Sequence, residues 1–237
     1  LKIIEEIQMN RKTIHNIAMF FGISVSFCGS VYATDSQISK FSVDLGYATL
    51  SPNDDNGEVS GPGLPPANSV DVKSASSIGM SVNYYQSNNI SYQFYVAPAI
   101  DFDIHGAGSL AVLGHVSTVD VLLPTALVNY TFDQFGAVKP YLGVGINYTI
   151  FSAEKSTAVL EGALGGATEV QLKNSFGLAA QAGIRFNINK QWYVNANYLW
   201  IDVDSTAHIN TSAVGTMRTV DLKIDPSVIY ASVGYRF

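Results

Sequence analysis

Two residue types at close spacing first raise the question of chemistry. His115-Val116-Ser117 sets an imidazole two positions from a hydroxyl, a spacing that suits a general base beside a nucleophile. No acid that would orient the imidazole can be assigned from the chain, and geometry rather than spacing defines a triad. The chain is therefore read as a non-enzyme. His105, beside Asp101 and Asp103, offers atoms that metals accept, but carboxylates of this kind in loops are ordinarily solvated. Asp54-Asp55-Asn56-Gly57 lacks the ligand spacing of a calcium loop and reads as a turn. The single cysteine, Cys28, follows Phe27 instead of the small residue that a lipid-attachment site wants. Neither a cofactor nor a metal is expected.

The elements that must position everything else begin after a leader. Met9 is followed by Arg11 and Lys12, an apolar run from Ile17 to Phe27, and Val31-Tyr32-Ala33. That is a basic region, an apolar region and a small-residue cleavage site, so 1–33 is expected to be upstream residues and a signal peptide, cut after Ala33. Leu1–Gln8 is placed upstream of the start at Met9. The apolar run is shorter than the roughly 20 residues a spanning helix needs. Removing the leader would remove the cysteine too, leaving no disulfide or thiolate chemistry in 34–237. The formal net charge is −6 and no basic stripe is present, which argues against nucleic acid as a partner.

Residues 34–237 alternate. Strands have a side-chain period of two, and eight segments follow it: 40–50, 75–85, 90–101, 118–132, 138–151, 174–187, 192–203 and 219–237. One face of each is apolar and free of charge, as in Leu142/Val144/Ile146/Tyr148/Ile150, in Tyr92/Phe94/Val96/Pro98/Ile100 and in Ile229/Ala231/Val233/Tyr235/Phe237. A soluble domain seldom ends on an unprotected apolar edge strand. In a closed barrel that edge is paired and the apolar face meets lipid. Gln86–Asn89, Asp133–Val138 and Ile188–Gln191 are short connections, whereas 51–74, 102–117, 152–173 and 204–218 are long. The expectation is an all-β, eight-stranded antiparallel transmembrane β-barrel with short periplasmic turns and four long extracellular loops. Trp192 and Trp200 lie eight residues apart, about 20 Å of membrane depth for a tilted strand, which suits two aromatic girdles. A soluble lipocalin-like barrel with its apolar face inside is the alternative fold.

Sorting the inward residues by depth gives a polar end near the short turns and an apolar end near the long loops. Leu123, Leu127, Leu199, Ile201, Ile224, Val228 and Tyr95 are the candidate ligand-binding lumen. Asp44, Arg185 and Arg236 form a polar floor, with an Asp44–Arg236 contact expected across barrel closure because buried charge is costly unless paired. Side chains fill the interior of small barrels, so simple packing explains the same pattern. An apolar vestibule above a polar floor also suits capture of an apolar molecule from outside. Pro98 and Pro124, which cannot donate to a ladder, mark a local gap in pairing or, more boldly, a lateral exit into the membrane. Ala158–Ala167 reads as a short helix or a lid over the mouth.

From Lys139 onward the chain resembles the OmpW family of outer-membrane proteins. The resemblance lies in Lys139-Pro140-Tyr141-Leu142-Gly143-Val144-Gly145-Ile146-Asn147-Tyr148-Thr149, in Ser175-Phe176-Gly177-Leu178-Ala179-Ala180-Gln181-Ala182-Gly183, in Asn189-Lys190-Gln191-Trp192, in Tyr198 to Ala207 and in Ile224-Asp225-Pro226 to Phe237. Upstream, Leu123-Pro124-Thr125 lacks the family's second proline, and the first hairpin matches loosely through Gly46 and Pro52. The resemblance implies an eight-stranded barrel of the bacterial outer membrane with an apolar internal channel, passing or binding small hydrophobic molecules. It also resembles barrels whose last strand, here ending on Phe237, is read by the outer-membrane assembly machinery. Outer-membrane lipid and small hydrophobic molecules are thus the implied partners. The competing reading is a structural or surface-interaction barrel with a filled lumen and functional extracellular loops.

Overall fold

A computed structural model describes residues 40–53, 68–211 and 216–237. The expected leader at 1–33 and the turn at Asp54–Gly57 lie outside these residues. Uncharged alternation produces the membrane wall: β1 (Phe41–Ser51), β3 (Ala75–Tyr85), β4 (Ile90–Val96), β7 (Thr125–Thr131), the lower part of β8 (Val138–Ser156), β10 (Ser175–Asn187), β11 (Trp192–Ile201) and β14 (Ser227–Arg236). They are hydrogen-bonded in the order β10-β11-β14-β1-β3-β4-β7-β8, and β8 pairs again with β10, closing eight antiparallel strands into a barrel. Closure leaves no strand edge in the wall, as a hydrocarbon environment demands. Leu142, Val144, Leu178 and Ile229 are 54–68% exposed on the outer face. They have no apolar protein partner to bury against, which identifies the outside as the lipid face.

An aromatic band rings the short-turn end of that face. Trp192 meets Tyr235 with ring centroids 4.9 Å apart, Tyr235 meets Phe237 at 5.3 Å, and Phe41 meets Tyr84 at 5.0 Å. Such rings are amphipathic enough to sit at a membrane interface. Phe237 points outward, and its amide donates to the carbonyl of Phe41 at 3.2 Å.

At the long-loop end, the described parts of the expected loops are largely strand, which corrects the loop reading. β5 (Ile100–Gly108) and β6 (His115–Leu122) form a hairpin that β2 (Asn68–Val72) joins and the upper part of β8 supports. β9 (Thr168–Leu172), β12 (Asp204–Thr211) and β13 (Thr216–Lys223) form a separate three-stranded sheet. The wall continues past the membrane because Ile100, Phe102 and Ile104 keep the period of two while Asp101 and Asp103 supply a water-facing side. Within 152–173 lies the helix α1 (Ala158–Leu164), capped by Thr157, whose hydroxyl accepts from the Leu160 amide at 3.3 Å.

The expected strands 90–101 and 118–132 are each interrupted, at 97–99 and at Leu123–Pro124. The ladder between them stops at Tyr95↔Thr125 and resumes at Ile100↔Val121. Ile100, expected to face outward, is instead buried inside, because the unpaired stretch around Pro98 shifts the alternation by one residue.

Candidate ligand site in the lumen

The inward side chains sort into three layers. In the upper layer Leu127, Leu199, Ile201 and Val228 belong to one buried apolar cluster with Leu50, Ile100, Phe102, Val119, Val121 and Phe151. Tyr95, Leu123 and Ile224 are partly buried against it. All seven candidate lumen residues therefore come together. Above them a partly open cavity of about 40 Å³ is lined by apolar side chains, among them Phe102, Val121, Leu123, Phe151, Leu172 and Ile224, and by Thr149. Of the seven candidates only Leu123 and Ile224 line it; the other five pack beneath. Val119, Val121 and Phe151 from the expected strands also line it, and Phe102, Ile104 and Leu172 join them because the wall extends beyond the membrane, which the reading of 102–117 and 152–173 as loops conceals. A space of this size has room for about three water-sized spheres, and an apolar lining gives a water almost no hydrogen-bond partners. It is a greasy, nearly filled pocket.

Leu123 has a second position of interest. It lies in the interruption between β6 and β7, next to Pro124, so the apolar pocket reaches the unpaired stretch of wall. Pro124 offers only its carbonyl there, which accepts from the Tyr148 amide at 3.1 Å. Pro98 lies across the same interruption and is exposed.

The middle layer is a polar plug. Gln181 Nε2 donates to Asn129 Oδ1 at 2.6 Å and to Gln93 Oε1 at 2.8 Å. Asn129 Nδ2 donates to Gln93 Oε1 at 2.9 Å, and Gln93 Nε2 donates to Ser81 Oγ at 3.1 Å. The Tyr95 hydroxyl donates to Gln181 Oε1 at 3.1 Å and Asn197 Nδ2 to the same oxygen at 3.1 Å. Tyr141 donates to Asn195 Oδ1 at 2.9 Å. Asn195 Nδ2 donates to Asn197 Oδ1 at 3.3 Å, so six strands share one hydrogen-bonded network across the lumen, and such a network rigidifies when its members satisfy one another. Straight passage through the barrel is blocked by it. Tyr95 works at the boundary: its hydroxyl belongs to the plug and its ring meets Tyr230 edge-on at 5.5 Å.

Asp44 hangs in this layer and is not where charge pairing was expected. Its Oδ2 accepts from Ser81 Oγ at 2.8 Å and Asn83 Nδ2 at 2.6 Å. Register explains the missing Asp44–Arg236 pair: Asp44 lies opposite Gly234, while Arg236 lies opposite Ser42, one inward position nearer the short turns. Arg236 and Arg185 instead lie over tyrosine rings in the lowest layer. The Arg185 guanidinium is 4.9 Å from the Tyr193 ring centre and 5.6 Å from that of Tyr141, and Arg236 is 4.6 Å from that of Tyr85. Those three tyrosines were missed by sequence reasoning, although Tyr141 and Tyr193 fall on inward positions by simple counting. Glycine makes their space: a Cβ at Gly234 would collide with the Tyr193 ring and the Asp44 carboxylate, and one at Gly183 with the Tyr141 ring.

The groups that raised chemistry in the sequence find other employment. His115 Nε2 faces the carbonyl of Ser117 and the hydroxyl of Thr118, each at 3.0 Å, with Asp103 at 3.4 Å. The imidazole therefore does not address the Ser117 hydroxyl as a base would. His105 stacks obliquely on His115 at 5.5 Å between ring centres. Asp202, Asp204 and Asp225 bring one carboxylate oxygen each within 4.8 Å of the others. Asp225 is occupied, accepting from the Val203 amide at 3.1 Å and facing Lys223 at 3.7 Å.

This arrangement has relatives. The model described as the OmpW family matches residues 37–237. Outer membrane protein W of Vibrio cholerae serotype O1 is 29% identical over 229 residues, covering 96% of this chain and 100% of that protein. Outer membrane protein W of Salmonella typhi is 31% identical over 210 residues, covering 88% and 92%. Among solved structures, the outer membrane protein OprG from Pseudomonas aeruginosa superposes with a TM-score of 0.76 at 26% identity, covering 85% of this chain and 97% of that one.

Proposed function

This chain belongs to the OmpW family, whose members are non-enzymatic barrels of the bacterial outer membrane, and from that premise we propose that it takes up small hydrophobic molecules into the upper lumen and releases them sideways into the membrane. The observation that carries the reading is the position of Leu123, which lines the apolar pocket and stands in the interruption of the wall beside Pro124. The layers then divide the work. Leu123, Ile224 and the apolar cluster beneath them offer surface to an apolar solute, whose transfer from water is favourable by about 25 cal/mol per Å². The plug around Gln93, Asn129 and Gln181 offers such a solute nothing, since entry would break hydrogen bonds without replacing them. The way out with the smallest cost is through the wall where no ladder bonds need breaking, between Pro98 and Pro124. Because the resting pocket is small, entry requires the upper side chains to move apart.

The second reading, a barrel with a filled lumen that acts through its extracellular strands, is favoured by that same small volume. Saturable binding of an alkyl probe to the refolded barrel separates the two. Leu123→Asp places a charge among apolar groups and is expected to abolish binding, whereas Asn197→Ala, which removes no apolar contact, is expected to keep it. At matched folding yield, equal binding by wild type and Leu123→Asp would move the function to the surface strands.

A further inference from the structure

The lowest layer opens on the short-turn side into a hollow of about 410 Å³ whose charges do not balance. Lys40, Lys139, Arg185 and Arg236 line it, against one acid, Asp133. Lys139 is already spent, since its ammonium is bonded to the carboxylate and carbonyl of Asp133. Lys40, Arg185 and Arg236 remain, and among the described residues none of the three forms an ion pair. Arg185 is 4% exposed, and its Nε and that of Arg236 are buried without a hydrogen-bond partner.

Tyrosine rings account for part of this arrangement. Arg185 lies over Tyr193, Tyr85 and Tyr141, and Arg236 over Tyr85 and Tyr193. A ring face stabilises a cation but accepts no N–H bond in the guanidinium plane, so the fork of each arginine keeps its donors. Asp44, one layer deeper, takes its donors from Ser81 and Asn83. One buried guanidinium and one half-buried, neither in an ion pair with a carboxylate and both bordering a space that opens to water, form a receptor for an anion.

We propose that the periplasmic mouth of this barrel binds a phosphate-class oxyanion between Arg185, Arg236 and Lys40. Two guanidinium forks and an ammonium match a doubly charged tetrahedral group, which presents acceptors in several directions; a single carboxylate would satisfy one fork. Thr131 and Asn187, also on the lining, supply neutral donors. The same chemistry is offered by free inorganic phosphate and by a phosphomonoester lipid headgroup. The site is separated from the apolar pocket by the polar plug, so it stands whether or not the lumen takes up hydrophobic molecules.

The test is a titration of the refolded full-length barrel, following the arginine Nε–Hε signals by NMR at constant ionic strength. Inorganic phosphate is expected to shift the signals of Arg185 and Arg236 saturably, while chloride leaves them unmoved. In phosphatidylcholine nanodiscs, adding phosphatidic acid tests the headgroup source: shifts with it but not with free phosphate assign the oxyanion to lipid, and the reverse to solute. Arg236→Gln is expected to weaken binding about tenfold or more. Because that variant could fold poorly, Lys40→Gln on the exposed rim is the companion, and it is expected to weaken binding severalfold with the spectrum otherwise preserved. Absence of any shift with both sources, equal shifts with chloride, or unchanged affinity in Lys40→Gln overturns the proposal.

Discussion

Replacing Phe102 by alanine tests whether the upper lumen is a packed apolar pocket of the kind an apolar molecule could enter. Phe102 is 6% exposed, lies opposite Val119 in the β5–β6 hairpin and lines the cavity with Leu123 and Phe151. Losing a buried phenyl ring costs about 3–5 kcal/mol. About 1.5–3 kcal/mol of this is the lost transfer of the ring out of water. The remaining 1–2 kcal/mol or so is the cavity left behind, which at about 24 cal/mol per Å³ corresponds to roughly 40–80 Å³ of unfilled space. That space adds to the 40 Å³ already present and approaches the size at which a dry apolar cavity takes up benzene. Two results are therefore expected together. Urea unfolding from lipid vesicles should show the variant less stable by about 3–5 kcal/mol, and benzene at ten times its Kd should return about 1.4 kcal/mol of that loss. A wild-type control should gain less, because its cavity is smaller. A loss below about 1 kcal/mol with no effect of benzene would refute the packing on which the pocket rests.

Two further outcomes concern assembly and the plug. Phe237→Asp removes the outward terminal aromatic that meets Tyr235 at 5.3 Å; synthesis should continue while the yield of folded, heat-modifiable protein in the outer membrane falls severalfold, and a normal yield would detach the terminal residue from assembly. Gly234→Val forces a side chain into the space of the Tyr193 ring and Asp44, and overpacking of this kind costs about 1–3 kcal/mol; urea unfolding should show the loss, and an unchanged midpoint would mean that the ring has room to move.

The membrane wall was legible because its signal is redundant. Leu142, Val144 and Ile146 on β8, like Ile229, Ala231 and Val233 on β14, alternate without a charge, and lipid tolerates no exception. Pro98 and Pro124 announced the interruption through their missing donors, yet the change of parity at Ile100 was hidden, because a period of two carries no information about where an unpaired stretch resets it. The strands beyond the membrane look like loops in the sequence for a related reason. Asp101 and Asp103 break the uncharged face that marks a lipid contact, although Ile100, Phe102 and Ile104 continue the same period toward the lumen. Layering of the lumen followed from inward residue type, and Leu127, Leu199, Ile201 and Val228 cluster accordingly. The floor did not follow. Adjacency of the first and last strands brought Asp44 and Arg236 near in sequence reasoning, but register sets them one inward position apart. Tyr85, Tyr141 and Tyr193 escape notice because aromatics on a membrane strand suggest a lipid girdle, although counting puts Tyr141 and Tyr193 on the inward face and the glycines opposite them, Gly183 and Gly234, leave room for their rings.

The central claim is that an apolar molecule occupies the upper lumen beside the interrupted wall. Intermolecular NOEs decide it most directly, measured from an alkane probe to methyl-labelled barrel in deuterated lipid. Saturable NOEs are expected to the methyls of Leu123 and Ile224, which line the pocket, at probe concentrations where Leu142 and Val144 on the lipid face show only a linear rise. NOEs confined to Leu142 and Val144, with Leu123 and Ile224 silent, would contradict it.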